Sequence, residues 1–139
     1  MVVRVKILVE TDKGKNIESS AILNSGYESD VCEIALPRKV ARKIGILLKK
    51  GIIESYGTAG PSIRVKRIPD AVRVYLVTED RKVGPVTADA IILGSDEILL
   101  NDKLIDEFGV VLEKVGEGLW RFKDDPVSTI RKSVKAQKW

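Results

Sequence analysis

The chain has 139 residues, with 44% hydrophobic and 32% charged side chains, a length and mix that suit one domain with a packed core and argue against global disorder. It has no histidine and one cysteine, Cys32. Ser-His and Cys-His catalysis, His-ligated zinc and an internal disulfide are therefore excluded within it. Catalysis would have to use carboxylate, lysine, tyrosine or hydroxyl chemistry.

The formal net charge is +4, unevenly spread. Residues 123–139 hold Lys123, Arg131, Lys132, Lys135 and Lys138 against Asp124 and Asp125, while the preceding residues are nearly neutral. Residues 1–122 read as the folded domain and 123–139 as a basic C-terminal tail. Val127, Ile130 and Val134 recur there at helical spacing, so the tail is expected to be either a docked amphipathic helix or a frayed end. Scattered basic residues without a motif give no reason to expect a nucleic-acid partner. No apolar run approaches the roughly 20 residues of a membrane span, and Arg4 and Lys6 interrupt the N-terminal apolar stretch. A soluble, cytoplasmic protein is the expectation. One Gln, three Asn and one Met among many charges hint at a thermophile.

In chain order, Val3, Val5, Ile7 and Val9 alternate with Arg4, Lys6 and Leu8, which predicts a strand with one buried face. Asp12 to Lys15 is a turn, and Ile17 to Leu23 is the returning strand. Asn24-Ser25-Gly26 is a tight loop. Pro37 to Ile44 reads as a short helix with Pro37 in its first turn and Gly45 at its left-handed end. Ile52 to Tyr56 and Ile63 to Ile68 are predicted strands around the tip Gly57-Thr58-Ala59-Gly60-Pro61. Ala71 to Thr78 and Val86 to Leu93 are further strands, separated by a charged turn ending at Gly84-Pro85. A second helix is expected to start at Ser95, with Asp96 and Glu97 in its first turn and Ile98, Leu99, Leu104, Ile105 and Phe108 along its apolar stripe. Val110 to Lys114 and Leu119 to Phe122 complete a hairpin. Strands follow one another directly, which argues a small mainly-β domain, closed or folded over.

Two strands run apolar-apolar into a glycine turn: Ile22-Leu23-Asn24-Ser25-Gly26 and Ile91-Ile92-Leu93-Gly94. Leu36-Pro37-Arg38-Lys39-Val40-Ala41-Arg42-Lys43-Ile44-Gly45 and the glycine-bearing Tyr56-Gly57-Thr58-Ala59-Gly60 lie between them. In this order and spacing the chain resembles the retropepsin-like aspartic proteases over residues 2 to about 122. The resemblance implies a small closed acid-protease β-barrel with one or two short helices. It also implies a homodimer with one catalytic loop per subunit, acting on a peptide or unfolded protein without a cofactor or metal. Asn24, Ser25 and Gly26 then fall on the catalytic loop, and Gly57, Thr58, Ala59 and Gly60 on a flap over the substrate.

Asn24 stands where the family carries its aspartate. Near neutral pH an amide neither ionises nor accepts a proton, so the chain as it stands should be inactive or nearly so. Three accounts of Asn24 stand side by side: a replacement that traps an inactive aspartic endopeptidase, a native non-catalytic module that binds peptides or a protein, or a likeness of fold alone. From the residues themselves, Asn-Ser-Gly is also an ordinary turn. The acidic set Glu28, Asp30 and Glu33 could hold calcium or simply be a solvated loop, and Tyr27 reads as a packing residue.

Overall fold

The computed structural model describes residues 1–46, 52–56 and 63–139. Alternation at the N-terminus produces β1 (Arg4–Glu10), in which Val5, Ile7 and Val9 are buried, with Val3 buried just ahead of it. The turn at Gly14 returns the chain as β2 (Asn16–Leu23), antiparallel to β1 with Ile7 opposite Ser19. The chain then forms β3 (Glu33–Pro37), α1 (Arg38–Lys43), β4 (Ile52–Tyr56), β5 (Ile63–Val77), β6 (Lys82–Leu93) and β7 (Ile98–Leu100). It continues as α2 (Asp102–Glu107), β8 (Val110–Lys114), β9 (Leu119–Phe122) and β10 (Arg131–Lys132).

Neighbouring strands run β1-β2-β7-β3-β6-β5, and β5 pairs back onto β1, giving a closed six-stranded barrel. The β2–β7 and β3–β6 pairs are parallel and the rest antiparallel. β4 lies outside the ring, against the first part of β5. The mainly-β closed barrel with two short helices is the architecture expected from the sequence. Among the described residues no helix is long and apolar enough to cross a membrane.

Four local expectations differ from the structure. The segments at Ile63 to Ile68 and Ala71 to Thr78 are one strand, β5, with a register shift between Ile68 and Val72. Asp70 takes φ 48° at that irregularity, a conformation Asp tolerates better than most residues. Asp89 holds the bend, accepting Asp70 N–H at 2.8 Å and Arg67 Nη1 at 2.7 Å. Second, Gly84-Pro85 lies within β6, not at the end of a turn; Gly84 has φ 124°, and a Cβ there would meet the Val74 carbonyl at 2.7 Å.

Third, Ile98-Leu99-Leu100 is a strand, not the start of a helix. The triplet inserts between β2 and β3, with Leu100 beside both Leu23 and Ile34. An apolar triplet fits a buried strand or a helix equally well by pattern, and pairing on both edges decides for the strand. The helix starts later, and Asn101 rather than Ser95 is its N-cap. Likewise Pro37 ends β3 and sits at the N-cap of α1 instead of inside its first turn.

Fourth, the tail forms no helix. β10 pairs with β9, and Val127 and Ile130, expected on an apolar face, are exposed. Ser133 Oγ accepts Arg4 N–H at 2.9 Å and donates to Gly118 O at 2.6 Å. Val134 N–H then bonds Arg4 O, Gln137 N–H bonds Ser20 Oγ, and Trp139 Nε1–H bonds Ser19 Oγ at 3.0 Å. The tail is thus a strap across β1 and β2.

An ion cluster anchors that strap. The buried Asp125 carboxylate accepts Phe122 N–H, Arg131 Nε and Arg81 Nη2, each at 2.8 Å. Arg131 also bonds Asp80 and lies 4.8 Å from the Phe122 ring centroid. Arg131 above all holds the Asp125 carboxyl down, to about 2. A carboxyl depressed in the folded state adds stability above its unfolded value, and that stability is lost as pH falls through the folded value. The urea midpoint should therefore drop between about pH 4 and about pH 2. Asp125→Asn should lower the midpoint at neutral pH and flatten its acid limb, as equilibrium unfolding across that range would show.

Candidate functional site

The Asn24 loop begins where β2 leaves the barrel. Leu23, Leu100 and Ile34 form a cross-strand row there, and Asn24 N–H donates to Leu100 O at 3.0 Å. Asn24 Oδ1 accepts the Gly26 N–H at 3.1 Å, and Asn24 O accepts the Tyr27 N–H at 3.0 Å. The asparagine thus folds the loop on itself, as Asx residues do in turns. Asn24 is half-buried, while Ser25 and Gly26 are exposed. Among the described residues the Asn24 carboxamide nitrogen and the Ser25 hydroxyl bond to no protein atom. Gly57, Thr58, Ala59 and Gly60 lie outside the described residues.

A buried polar network supports this loop from below, and its members carry no obvious motif. Tyr27 O accepts Asp102 N–H at 3.0 Å. The Tyr27 hydroxyl donates to Glu33 Oε1 at 2.9 Å, and Ser29 Oγ donates to Glu33 Oε2 at 2.8 Å. Glu33 is buried, so its carboxyl oxygens meet protein donors rather than water. The fully buried Asn101 joins the network to α2. Its Oδ1 accepts from Glu33 N–H and Leu104 N–H, both at 3.1 Å, and its Nδ2 donates to Val31 O at 2.8 Å.

Two sequence readings change here. Tyr27 packs against a small apolar cluster of Ala35, Val65 and Ile91, but its hydroxyl also partners Glu33. Glu33 is an internal acceptor, while Glu28 and Asp30 remain exposed. Among the described residues no three His, Cys, Asp or Glu side chains are placed to hold a metal ion. Cys32 packs partly buried against the core, and burial, helped by the Glu107 carboxylate, pushes its thiol pKa up. An unreactive, space-filling thiol fits that setting.

Asn101 was legible only in part. An Asn ahead of Asp102 and an apolar helical stripe is an N-cap signal, but the three apolar residues before it mask the boundary. Nothing local announces that the same side chain also orders Glu33 and Val31, which are distant in sequence.

No protein-family model matches this sequence, and no curated protein matches it.

Asn101→Ala would remove an N-cap and leave two backbone N–H groups and one carbonyl without partners. The loss in unfolding free energy should be about 2–4 kcal/mol. Urea denaturation measures it, and a change within error of zero would show that water replaces the side chain at no cost.

Proposed function

We propose that this protein is a retropepsin-like homodimer whose Asn24 loops face each other across a twofold axis, and that as it stands it holds an extended peptide without hydrolysing it. The observation that carries this reading is the Asn24–Gly26 hydrogen bond. A carboxylate at position 24 could accept the same N–H, so the amide preserves the loop while removing the ionisable group. The closed barrel and the exposed position of Ser25 and Gly26 at its end also support the reading.

The chemistry follows from the amide. Peptide hydrolysis by a carboxylate pair needs one ionised member to take a proton from water and one protonated member to donate to the peptide carbonyl. Two amides provide neither a base nor an acid. They do provide N–H donors, and the Asn24 nitrogen has no protein partner among the described residues, which suits binding of a peptide carbonyl. A twofold axis supplies the second loop, since the sequence contains one Asn-Ser-Gly.

Asn24→Asp should create peptidase activity toward unfolded protein substrates, while Asn24→Ala and the unchanged chain should show none. General acid–base catalysis is worth ~10²–10⁴-fold, so the gain should be at least ~10²-fold over the unchanged chain. Its rate should follow a bell in pH, because two close carboxylates titrate as a coupled pair. Sedimentation reports the dimer, and a peptide library reports cleavage. A dimeric Asn24→Asp protein that cleaves nothing from acid to neutral pH would leave only the peptide-binding part of the reading. A strict monomer would remove the reading altogether.

A further inference from the structure

We propose that the outward face of α1 is a docking surface for the sugar-phosphate backbone of a nucleic acid, a reading independent of the Asn24 loop. The helix has the sequence Arg38-Lys39-Val40-Ala41-Arg42-Lys43. Val40 and Ala41 point into the core, and all four basic residues are exposed.

Its two arginines are set apart from the others with described side chains by their lack of partners. Arg4 pairs with Glu97, Arg67 with Asp89, Arg73 with Asp12, Arg121 with Glu113, and Arg81 and Arg131 with Asp125. Among the described residues Arg38, Lys39 and Arg42 have no carboxylate or hydrogen-bond partner, and Lys43 meets only the Trp139 ring, 5.5 Å away. Their placement does not serve the helix. Arg38 and Lys39 occupy a first turn that holds no acidic residue, at the end where the helix dipole disfavours cations. Arg38–Arg42 and Lys39–Lys43 are like-charged pairs at i, i+4, about 5–6 Å apart between Cβ atoms, a spacing at which they repel. Lys15 extends the patch: its Nζ lies 3.6 Å from where a Cβ on Gly45 would sit.

The character of the patch selects its occupant. The exposed large apolar residues among those described are Met1, Val31, Val115, Val127, Ile130 and Val134, none of them on α1. A helix that enters a lipid surface needs an exposed apolar face. A stable protein interface needs a buried aromatic or aliphatic anchor. A phosphate backbone needs neither, only clustered cations with free donors, and Arg supplies a planar fork for each phosphate. The basic tail is less suited, because Arg131 is tied to Asp80 and Asp125, and Lys138 lies beside Asp96 and Glu97.

Fluorescence anisotropy of the full chain with labelled single-stranded and duplex DNA of mixed sequence, over a salt series, tests this. Four phosphate contacts predict that log K falls against log salt with a slope of about −3 to −4. Arg38→Gln with Arg42→Gln should weaken binding to all sequences alike and make the slope shallower by about 1.5–2, whereas Arg73→Gln should leave it unchanged. Lys39→Gln, at a second exposed site, should make it shallower by about 1, and a melting temperature no lower than that of the unchanged chain shows that each variant is folded. A double variant that binds DNA like the unchanged chain overturns the proposal. So does tighter binding to polyglutamate or to phosphatidylserine-containing vesicles than to DNA, and so does the absence of DNA binding at low salt.

Discussion

The pairing of β5 back onto β1 is the constraint on which the rest of the molecule depends. β1 is hydrogen-bonded on both edges, to β2 and to β5, so its buried face Val5, Ile7 and Val9 closes the core on all sides. An open sheet of the same strands would leave β1 with an unpaired edge and half of that face wet. Closure is possible because β5 is 15 residues long and serves two partners in turn, β4 at its start and β1 at its end. The Asp70 irregularity divides the two roles, and Asp89 fixes it by accepting from both Asp70 and Arg67.

Closure then dictates where polar groups can be buried. Inserting β7 between β2 and β3 brings Asn101 beneath the Asn24 loop, where it replaces water for Glu33, Val31 and Leu104 at once. A buried amide that satisfies several backbone groups is costly to lose and specifies one arrangement of the elements around it. The Asn24 loop is therefore carried on a rigid base, although Ser25 and Gly26 are themselves exposed.

Charge is used in two ways. The Arg4–Glu97 fork, at 2.8 and 3.0 Å, ties β1 to the segment before β7, and Arg4 holds the Glu97 carboxyl below its ordinary value. Asp125 ties the strap to the β8–β9 hairpin by accepting from both Arg131 and the Phe122 N–H of β9. Such pairs sit at seams between elements, where geometry rather than net energy is their main contribution. α1 stands apart, since its two arginines join no seam.

Period-two alternation determined β1 from the sequence alone, because burial of one strand face is written in adjacent residues, and the turn at Gly14 determined β2 as its returning partner. The β8–β9 hairpin was legible from its turn, with Gly118 at φ 70° between its strands. The amide at position 24, and with it the loss of a titratable group, is likewise a fact of sequence. Tertiary structure alone decided three things. Ile98 to Leu100 became a strand because two neighbours offered edges. Glu33 became an internal acceptor because Tyr27 and Ser29 reach it. The tail became an extended strap because Arg4, Ser19 and Ser20 supply its hydrogen bonds. In each case the deciding partner lies outside the pattern that a local reading can follow, and the free energy of satisfying buried polar groups outweighs the local preference.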